Sequence, residues 1–394
     1  MSKFESPDFL QLDDLFTPED RHLRDCVRAF VTERFLPVAV EHYRAGTMPL
    51  DLLPELGRLG AFGPTIRGFG CPGIGNVGAG LIMQELERGD SGLRTLASVQ
   101  GSLAMMAIYQ FGSDEQKERW LPGMAHGDKL GAFALTEPDF GSNPAGLKCQ
   151  ARKTADGYVL NGAKKWIGNA TIADVVVAWA KIDETDDQQA IRGFLIEKGT
   201  PGFKPSLIEG KLSLRIGLTG EIQFENCTVP PEALLPQSRG LRSALECLNY
   251  ARFGIAWGAI GAAIACYEEA RQYALGRNQF GKPIASFQLV QAKLVQMLTE
   301  ITKAQLLALR LAQLKDAGTA KHYHISMAKM NNVAMAIDCA RMARDILGAE
   351  GILDSRACMR HMSNLESVKT YEGTEDIHRL VLGQQITGIS AFGG

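Results

Sequence analysis

Asp174-Val175-Val176-Val177-Ala178-Trp179 sets three β-branched residues in a row and closes on a tryptophan, a pattern that suits a strand far better than a helix. The same texture recurs on either side, in Tyr158-Val159-Leu160, Phe194-Leu195-Ile196 and Ile222-Gln223-Phe224, each bounded by Gly, Pro or Asp. Asp156-Gly157, between Lys153 and Tyr158, is a hairpin-turn signal. Pro201-Gly202 and Pro230-Pro231 punctuate the rest. Short strands at this spacing, from about Leu130 to Pro236, predict an antiparallel barrel or sandwich.

Outside this block the period changes. Between Pro18 and His126, apolar residues recur at helical spacing, as in Leu23, Val27, Phe30, Val31 and Phe35, and the pattern continues through Gly80 to Arg88 and Leu93 to Phe111. From about Ser243 helices return and lengthen. Leu294, Leu298 and Ile301 fall on one face that Leu306, Leu309 and Leu311 thicken, and Lys321 to Leu347 is rich in Ala and Met without Pro or Gly. Long unbroken helices predict a bundle. The chain is therefore expected to be a multidomain α+β protein, with an α-helical domain over 1–129, a β domain over 130–238 and a helical bundle over 239–394. No internal repeat or low-complexity tract is visible.

A chain of 394 residues has room for two or three domains. Net charge is −2 with Lys and Arg dispersed, which argues against a nucleic-acid surface, since phosphate binding needs a basic stripe. The N-terminus lacks the basic and apolar regions of a signal peptide. No run of about 18 apolar residues predicts a membrane span. Eight dispersed cysteines without a CxxC pair read as buried reduced thiols, as in a bacterial cytoplasm or, for a eukaryotic protein, the mitochondrial matrix. Gly68-Phe69-Gly70-Cys71-Pro72-Gly73 spells G-x-G-x-x-G, but Gly63, Pro64 and Arg67 crowd the segment where a strand is required, so a Gly-rich connection is expected. His322 and His324, two apart on a helix, point to different faces, and no metal site is expected.

Three segments carry chemistry. In Phe133-Ala134-Leu135-Thr136-Glu137-Pro138-Asp139-Phe140-Gly141-Ser142-Asn143-Pro144 a strand runs into small residues that leave backbone N–H groups free to converge on an anion, although turn formers alone give the same composition. In Lys164-Lys165-Trp166-Ile167-Gly168-Asn169 the tryptophan either flanks a planar ring or fills a core. In Thr370-Tyr371-Glu372-Gly373-Thr374-Glu375-Asp376 the glycine breaks the chain, Thr374 caps a helix and two acids suit its first turn. That leaves Glu372 on the loop before the helix, either a desolvated general base or a solvated acid.

Together with Arg277-x-Gln279-Phe280-Gly281, these segments resemble the acyl-CoA dehydrogenase family along nearly the whole chain. The resemblance implies a C-terminal four-helix bundle, a homotetramer, one FAD per subunit and an electron-transfer flavoprotein or similar acceptor. By similarity, Phe133, Leu135, Thr136, Gly141 and Ser142 line the flavin and its pyrophosphate, and Trp166, Ile167 and Gly168 lie against its ring. Arg277 and Gln288, with Asp345, Leu347, Gly348 and Ala349, would reach FAD from a neighbouring subunit; Gln279 and Phe280 belong to the same contact, and Thr374 and Asp376 touch the cofactor from the last helix. Asn249, Arg252 and Gly373 hold the CoA thioester, with Ser142 near its pantetheine. Glu372 matches the family's catalytic base.

Glu85-Leu86-Glu87-Arg88-Gly89-Asp90-Ser91-Gly92-Leu93-Arg94, followed by Thr95 and Ser98, resembles the glutaryl-CoA dehydrogenase branch. There Arg94 would grip a distal carboxylate bidentately, with Glu87 beside it and Tyr371 near. Such a substrate would be oxidised and decarboxylated to crotonyl-CoA. Gly168 replaces a usual Thr, Thr95 a Ser and Glu375 a His. The Trp-Ile-Gly-Asn run also resembles short-chain acyl-CoA oxidases, so a simple alkyl substrate or O2 as acceptor is the alternative. A flavin-binding partner protein without catalysis is the remaining one.

Overall fold

A capping box opens the first helix: Thr17 Oγ1 accepts from Asp20 N at 3.1 Å, Asp20 accepts back from Thr17 N, and Pro18 occupies the first helical position. The computed structural model describes residues 7–182 and 190–392. Its N-terminal part is helical, with α1 (Pro18–Phe30), α2 (Leu36–Ala45), α3 (Leu53–Arg58), α4 (Asn76–Gly89), α5 (Ser91–Ser98), α6 (Met106–Phe111) and α7 (Asp114–His126). Wider π turns at Val31–Phe35 and Val99–Met105 join α1 to α2 and α5 to α6. The G-x-G-x-x-G segment is a small hairpin, β1 (Arg67–Gly68) with β2 (Cys71–Pro72).

The middle part is a sheet of β3 (Gly131–Ala134), β4 (Gln150–Thr154), β5 (Gly157–Gly168), β6 (Val175–Ile182), β7 (Ile191–Glu197), β8 (Phe203–Leu207) and β9 (Thr219–Val229). Its order is β3-β6-β4-β5-β9-β8, with β7 also on β6. Most pairs are antiparallel, as expected, but β3 and β4 each run parallel to β6. Parallel pairing needs a crossover, and β5, between β4 and β6 in sequence, supplies it. The β4–β5 turn is Ala155-Asp156 rather than Asp156-Gly157; Gly157 instead pairs with Thr154 at φ 139°, where a Cβ would sit 2.2 Å from the Val229 carbonyl oxygen.

Val175 to Ala180 are all fully buried. Val175, Val177 and Trp179 face the core shared with the helices, while Val176, Ala178 and Ala180 face the core within the sheet. A strand covered on both faces has no polar alternation, which explains the continuous apolar run.

The C-terminal part comprises α8 (Gly240–Gly276), the hairpin β10 (Asn278–Gln279) and β11 (Lys282–Pro283), then α9 (Gln288–Asp316), α10 (His322–Leu347), α11 (Ala357–Thr370) and α12 (Glu375–Thr387). Helices α8 to α11 form the bundle and α12 packs on α10. Ile301, Leu309 and Leu311 are buried as the periodicity predicts, but Leu306 is 41% exposed. None of the helices of the described residues is long and apolar enough to cross a membrane. All eight cysteines are free; Cys26 and Cys71 are only partly buried.

Helix α4 lies on α8 through glycine. A Cβ on Gly80 would meet the Trp257 ring at 2.4 Å, one on Gly258 the Glu87 carboxylate at 2.0 Å, and one on Gly261 the Gln84 carbonyl oxygen at 1.8 Å. Gly261→Ala is expected to cost about 3 kcal/mol of stability through overpacking, read from the midpoint of denaturant unfolding. Gly276→Ala, facing open space at the end of α8, is the control.

Candidate active site

The loop Tyr371-Glu372-Gly373-Thr374 joins α11 to α12. Thr374 caps α12 by accepting from Ile377 N at 3.2 Å, with Glu375 and Asp376 in the first turn, as the sequence predicts. Gly373 takes φ 91° and Glu372 φ 54°. A non-glycine residue there is strained, and such strain concentrates at functional positions. Arg252 Nε donates to the Glu372 carbonyl oxygen at 2.7 Å. Asn249 lies one turn earlier on α8, on the same side.

From α4 and α5 comes a buried charged cluster. Arg94 Nε donates to Glu87 Oε2 at 2.7 Å, both side chains fully buried, and Ser91 Oγ donates to Glu87 Oε1 at 2.8 Å. Arg94 Nη2 also donates to the Tyr371 hydroxyl, which lies 3.3 Å from Thr95 Oγ1. Tyr371 thus links the guanidinium to the Glu372 loop. Three buried polar atoms of this cluster have no hydrogen-bond partner among the described residues: Arg94 Nη1, Ser98 Oγ and Glu372 Oε2. Native interiors rarely leave such atoms unpaired; Arg94 and Ser98 lie one turn apart on α5 and Glu372 acts electrostatically on Arg94, an arrangement suited to a polar ligand.

Burial pushes the Glu372 carboxyl above its ordinary value, opposed by Arg94, Lys329 and Arg252. Burial works against the Arg94 guanidinium, but Glu87, Tyr371 and Glu372 hold it raised, so it stays cationic. Burial pushes the Tyr371 phenol up, keeping it neutral. The site pairs a carboxylate tuned toward proton transfer with a fixed cation.

The other two sequence segments meet each other, and Gly168 approaches Val99, the residue after Ser98. Lys165 N donates to the Thr136 carbonyl oxygen at 2.9 Å. Buried Lys164 donates to Leu135 O at 3.0 Å and to Glu137 Oε1 at 2.8 Å, while Glu137 also accepts from Lys148 N and Cys149 N. The register of β5 against β9 shifts between Lys164 and Ile167. At that irregularity Trp166 takes φ 62° and leaves its side chain 57% exposed, so it is no core tryptophan. Ile167 is buried and Gly168 partly so; a Cβ at Gly168 would lie 3.0 Å from Val99 Cγ2, a tight fit that requires Val99 to give way. Phe133 and Leu135 are buried, Thr136 is partly exposed, and Gly141 and Ser142 are exposed on the loop after β3. An exposed aromatic face beside side-chain-free backbone fits a planar ring.

A second group lies on the outside of the bundle. Arg277, Gln279, Phe280 and Gln288 are exposed around the β10–β11 hairpin, Phe280 by 93%. Asp345, Gly348 and Ala349 are exposed at the end of α10, with Leu347 buried and Lys293 paired to Asp345 at 3.3 Å. Asp376 is exposed and paired with Arg379. Glu375, in place of the usual His, is buried between Lys369 and Arg379.

Two contributors escape sequence reading. Gly258 is the only residue type that admits the Glu87 carboxylate against α8. Lys329, 1% exposed, donates to the Tyr371 and Gly373 carbonyl oxygens. A lysine inside an Ala- and Met-rich helix carries no signal beyond a solvated face, although the small residues around Gly258 hinted at close helix contact.

Known proteins share this arrangement. Residues 17–128, 132–227 and 238–387 match the family models for the N-terminal, middle and C-terminal domains of acyl-CoA dehydrogenase. A crystal structure of a glutaryl-CoA dehydrogenase from Mycobacterium smegmatis in complex with FADH2 superposes with a TM-score of 0.96 at 45% identity, covering 99% of this chain and 100% of that one. A second structure of glutaryl-CoA dehydrogenase from that organism gives 0.96 at 48% identity with the same coverage. The mitochondrial short-chain specific acyl-CoA dehydrogenase of Rattus norvegicus is 33% identical over 362 residues, 91% of this chain and 88% of that protein. With all three domains matched in order around the carboxylate of the Tyr371-Glu372-Gly373 loop, the chain belongs to the acyl-CoA dehydrogenase family.

Proposed function

We propose that this chain oxidises glutaryl-CoA and decarboxylates the product to crotonyl-CoA and CO2. The observation that carries the reading is the buried Arg94, its Nη1 without a partner, tied through Tyr371 to the loop of Glu372. A buried guanidinium with an unused donor is costly beside an alkyl chain and well matched to a carboxylate. Ser98 Oγ supplies a further unpaired group for that carboxylate.

FAD is the cofactor; Thr136, Gly141, Ser142 and the Trp166-Ile167-Gly168 stretch would hold it, and when bound it would supply the hydride acceptor. Glu372 removes the α-proton. Its Oε2 is buried and without a partner among the described residues, leaving it free to take the proton. Arg252, Asn249 and Gly373 orient the thioester, and the Glu372 backbone N–H stabilises charge developing on the thioester oxygen. After loss of CO2, protonated Glu372 returns its proton to the dienolate. Arg277, Gln279, Phe280, Gln288 and the Asp345 to Ala349 segment serve the cofactor of a neighbouring subunit in a homotetramer, and an electron-transfer flavoprotein reoxidises the enzyme.

The short-chain relatives make butyryl-CoA the competing substrate. Anaerobic titration of the yellow protein with glutaryl-, butyryl- and isovaleryl-CoA is expected to show fastest bleaching by glutaryl-CoA, with crotonyl-CoA and CO2 recovered on turnover. Equal bleaching by butyryl-CoA overturns the dicarboxylate assignment.

A further inference from the structure

Three consecutive carbonyl oxygens of the Glu372 loop are held by two cations, Lys329 buried and Arg252 half-buried. Lys329 Nζ, from the N-terminal third of α10, donates to Tyr371 O and Gly373 O at 2.5 Å each, and Arg252 Nε, from α8, donates to the Glu372 O between them at 2.7 Å. Lys329 is 1% exposed, and its ammonium donates to carbonyl oxygens where a buried lysine would ordinarily seek a carboxylate. Tyr371 O and Gly373 O thus share one cation while Glu372 O between them takes the other, and the chain bends through Glu372 at φ 54° and Gly373 at φ 91°.

We propose that Lys329 is a positioning residue for Glu372, clamping the carbonyls on either side of it so that the strained loop keeps the carboxylate aimed into the site while a cation stands behind it. The proposal rests on the reading of Glu372 as the base. The clamp accounts for the left-handed backbone at Glu372, which otherwise relaxes toward an unstrained conformation.

The groups facing Lys329 are Glu372 on the loop, Glu375 on α12, Arg252 on α8 and Arg94 on α5. His378 on α12, hydrogen-bonded to Ser326 at 3.0 Å, is held neutral because burial, aided by Lys329 and Arg252, brings it down to about 3. The arginines stay charged, so Glu372 and Lys329 titrate as a pair and any acid limb belongs to both. Without the ammonium, ionising Glu372 becomes harder, and the acid limb of kcat/KM moves to higher pH.

The test compares Lys329→Met, Lys329→Gln and Lys329→Arg with the parent flavin-loaded enzyme, on the acyl-CoA that the parent turns over fastest. Lys329→Met is expected to lower kcat about 100-fold, the scale of a small misplacement of a reacting group, with KM within about threefold, and to move the acid limb up by about one pH unit. Lys329→Arg returns the limb to the parent position and recovers most of kcat. Lys329→Gln, which keeps a donor but no charge, moves the limb as Met does and carries the test if Met does not fold. A Met or Gln variant with flavin bound, kcat within twofold of the parent and an unmoved acid limb overturns the proposal. So does a loss of kcat with an unmoved limb that Arg does not rescue. Glu372→Gln in parallel separates the two readings: full activity there removes the base and the clamp together, whereas its inactivity beside an indifferent Lys329→Met removes the clamp alone.

Discussion

Glu372→Gln is expected to lower acyl-CoA turnover about 10³-fold or more while the protein still binds FAD and substrate. The amide keeps the size of the carboxylate and the loop geometry set by Arg252 and Lys329, but it cannot take a proton. General-base catalysis contributes about 10² to 10⁴ in rate. Here burial raises the Glu372 carboxyl despite three nearby cations, strengthening it as a base at neutral pH. The sign follows: the parent gains activity as pH rises and Glu372 ionises, with an acid limb above the usual carboxylate range. Residual activity of the variant lacks that limb. Stopped-flow flavin bleaching against pH measures both, and parent-like turnover by the variant would remove the mechanism.

Arg94→Ala is expected to erase the preference for glutaryl-CoA over butyryl-CoA and to destabilise the protein by about 3–5 kcal/mol, because Glu87 is left as an uncompensated buried charge. Among the described residues, Glu87 keeps only Ser91 Oγ as a partner once Arg94 Nε is gone. Adding Glu87→Gln neutralises the orphan and recovers much of the stability without restoring selectivity. Denaturant unfolding reads the first effect, and the ratio of kcat/KM values for the two thioesters reads the second. A single variant that keeps its preference for glutaryl-CoA shows that the guanidinium does not hold the distal carboxylate.

The helical–β–helical order was legible because the apolar period switches near Leu130 and switches back near Ser243. The Glu372 loop was legible for a local reason: Gly373 and Thr374 announce a chain break and a helix cap within two residues. Parallel pairing of β3 and β4 with β6 was hidden, because it joins Gly131 to Val175 and Gln150 to Lys181 through partners distant in sequence. Leu306 misled for a related reason, since periodicity shows a stripe but not how wide a neighbour covers it. Trp166 was ambiguous until the β5 irregularity turned its ring outward. Lys329 was invisible because nothing local separates a buried lysine from a solvated one; only α10 lying beneath the loop makes it a donor to Tyr371 and Gly373.

The glycine seam between α4 and α8 bears on how the site measures its substrate. Glu87 sits on one of those helices and Arg252 on the other, and at Gly258 and Gly261 the two approach too closely for even a methyl group. The seam is closed by the Gln84 carbonyl oxygen at Gly261 and by the Glu87 carboxylate at Gly258, so Glu87 and the Arg94 guanidinium it holds have no room to shift toward α8. On the proposed reading this is a rigid gauge: a dicarboxylate one methylene longer finds no slack to fold into, and length is judged sterically on arrival, without a closing lid.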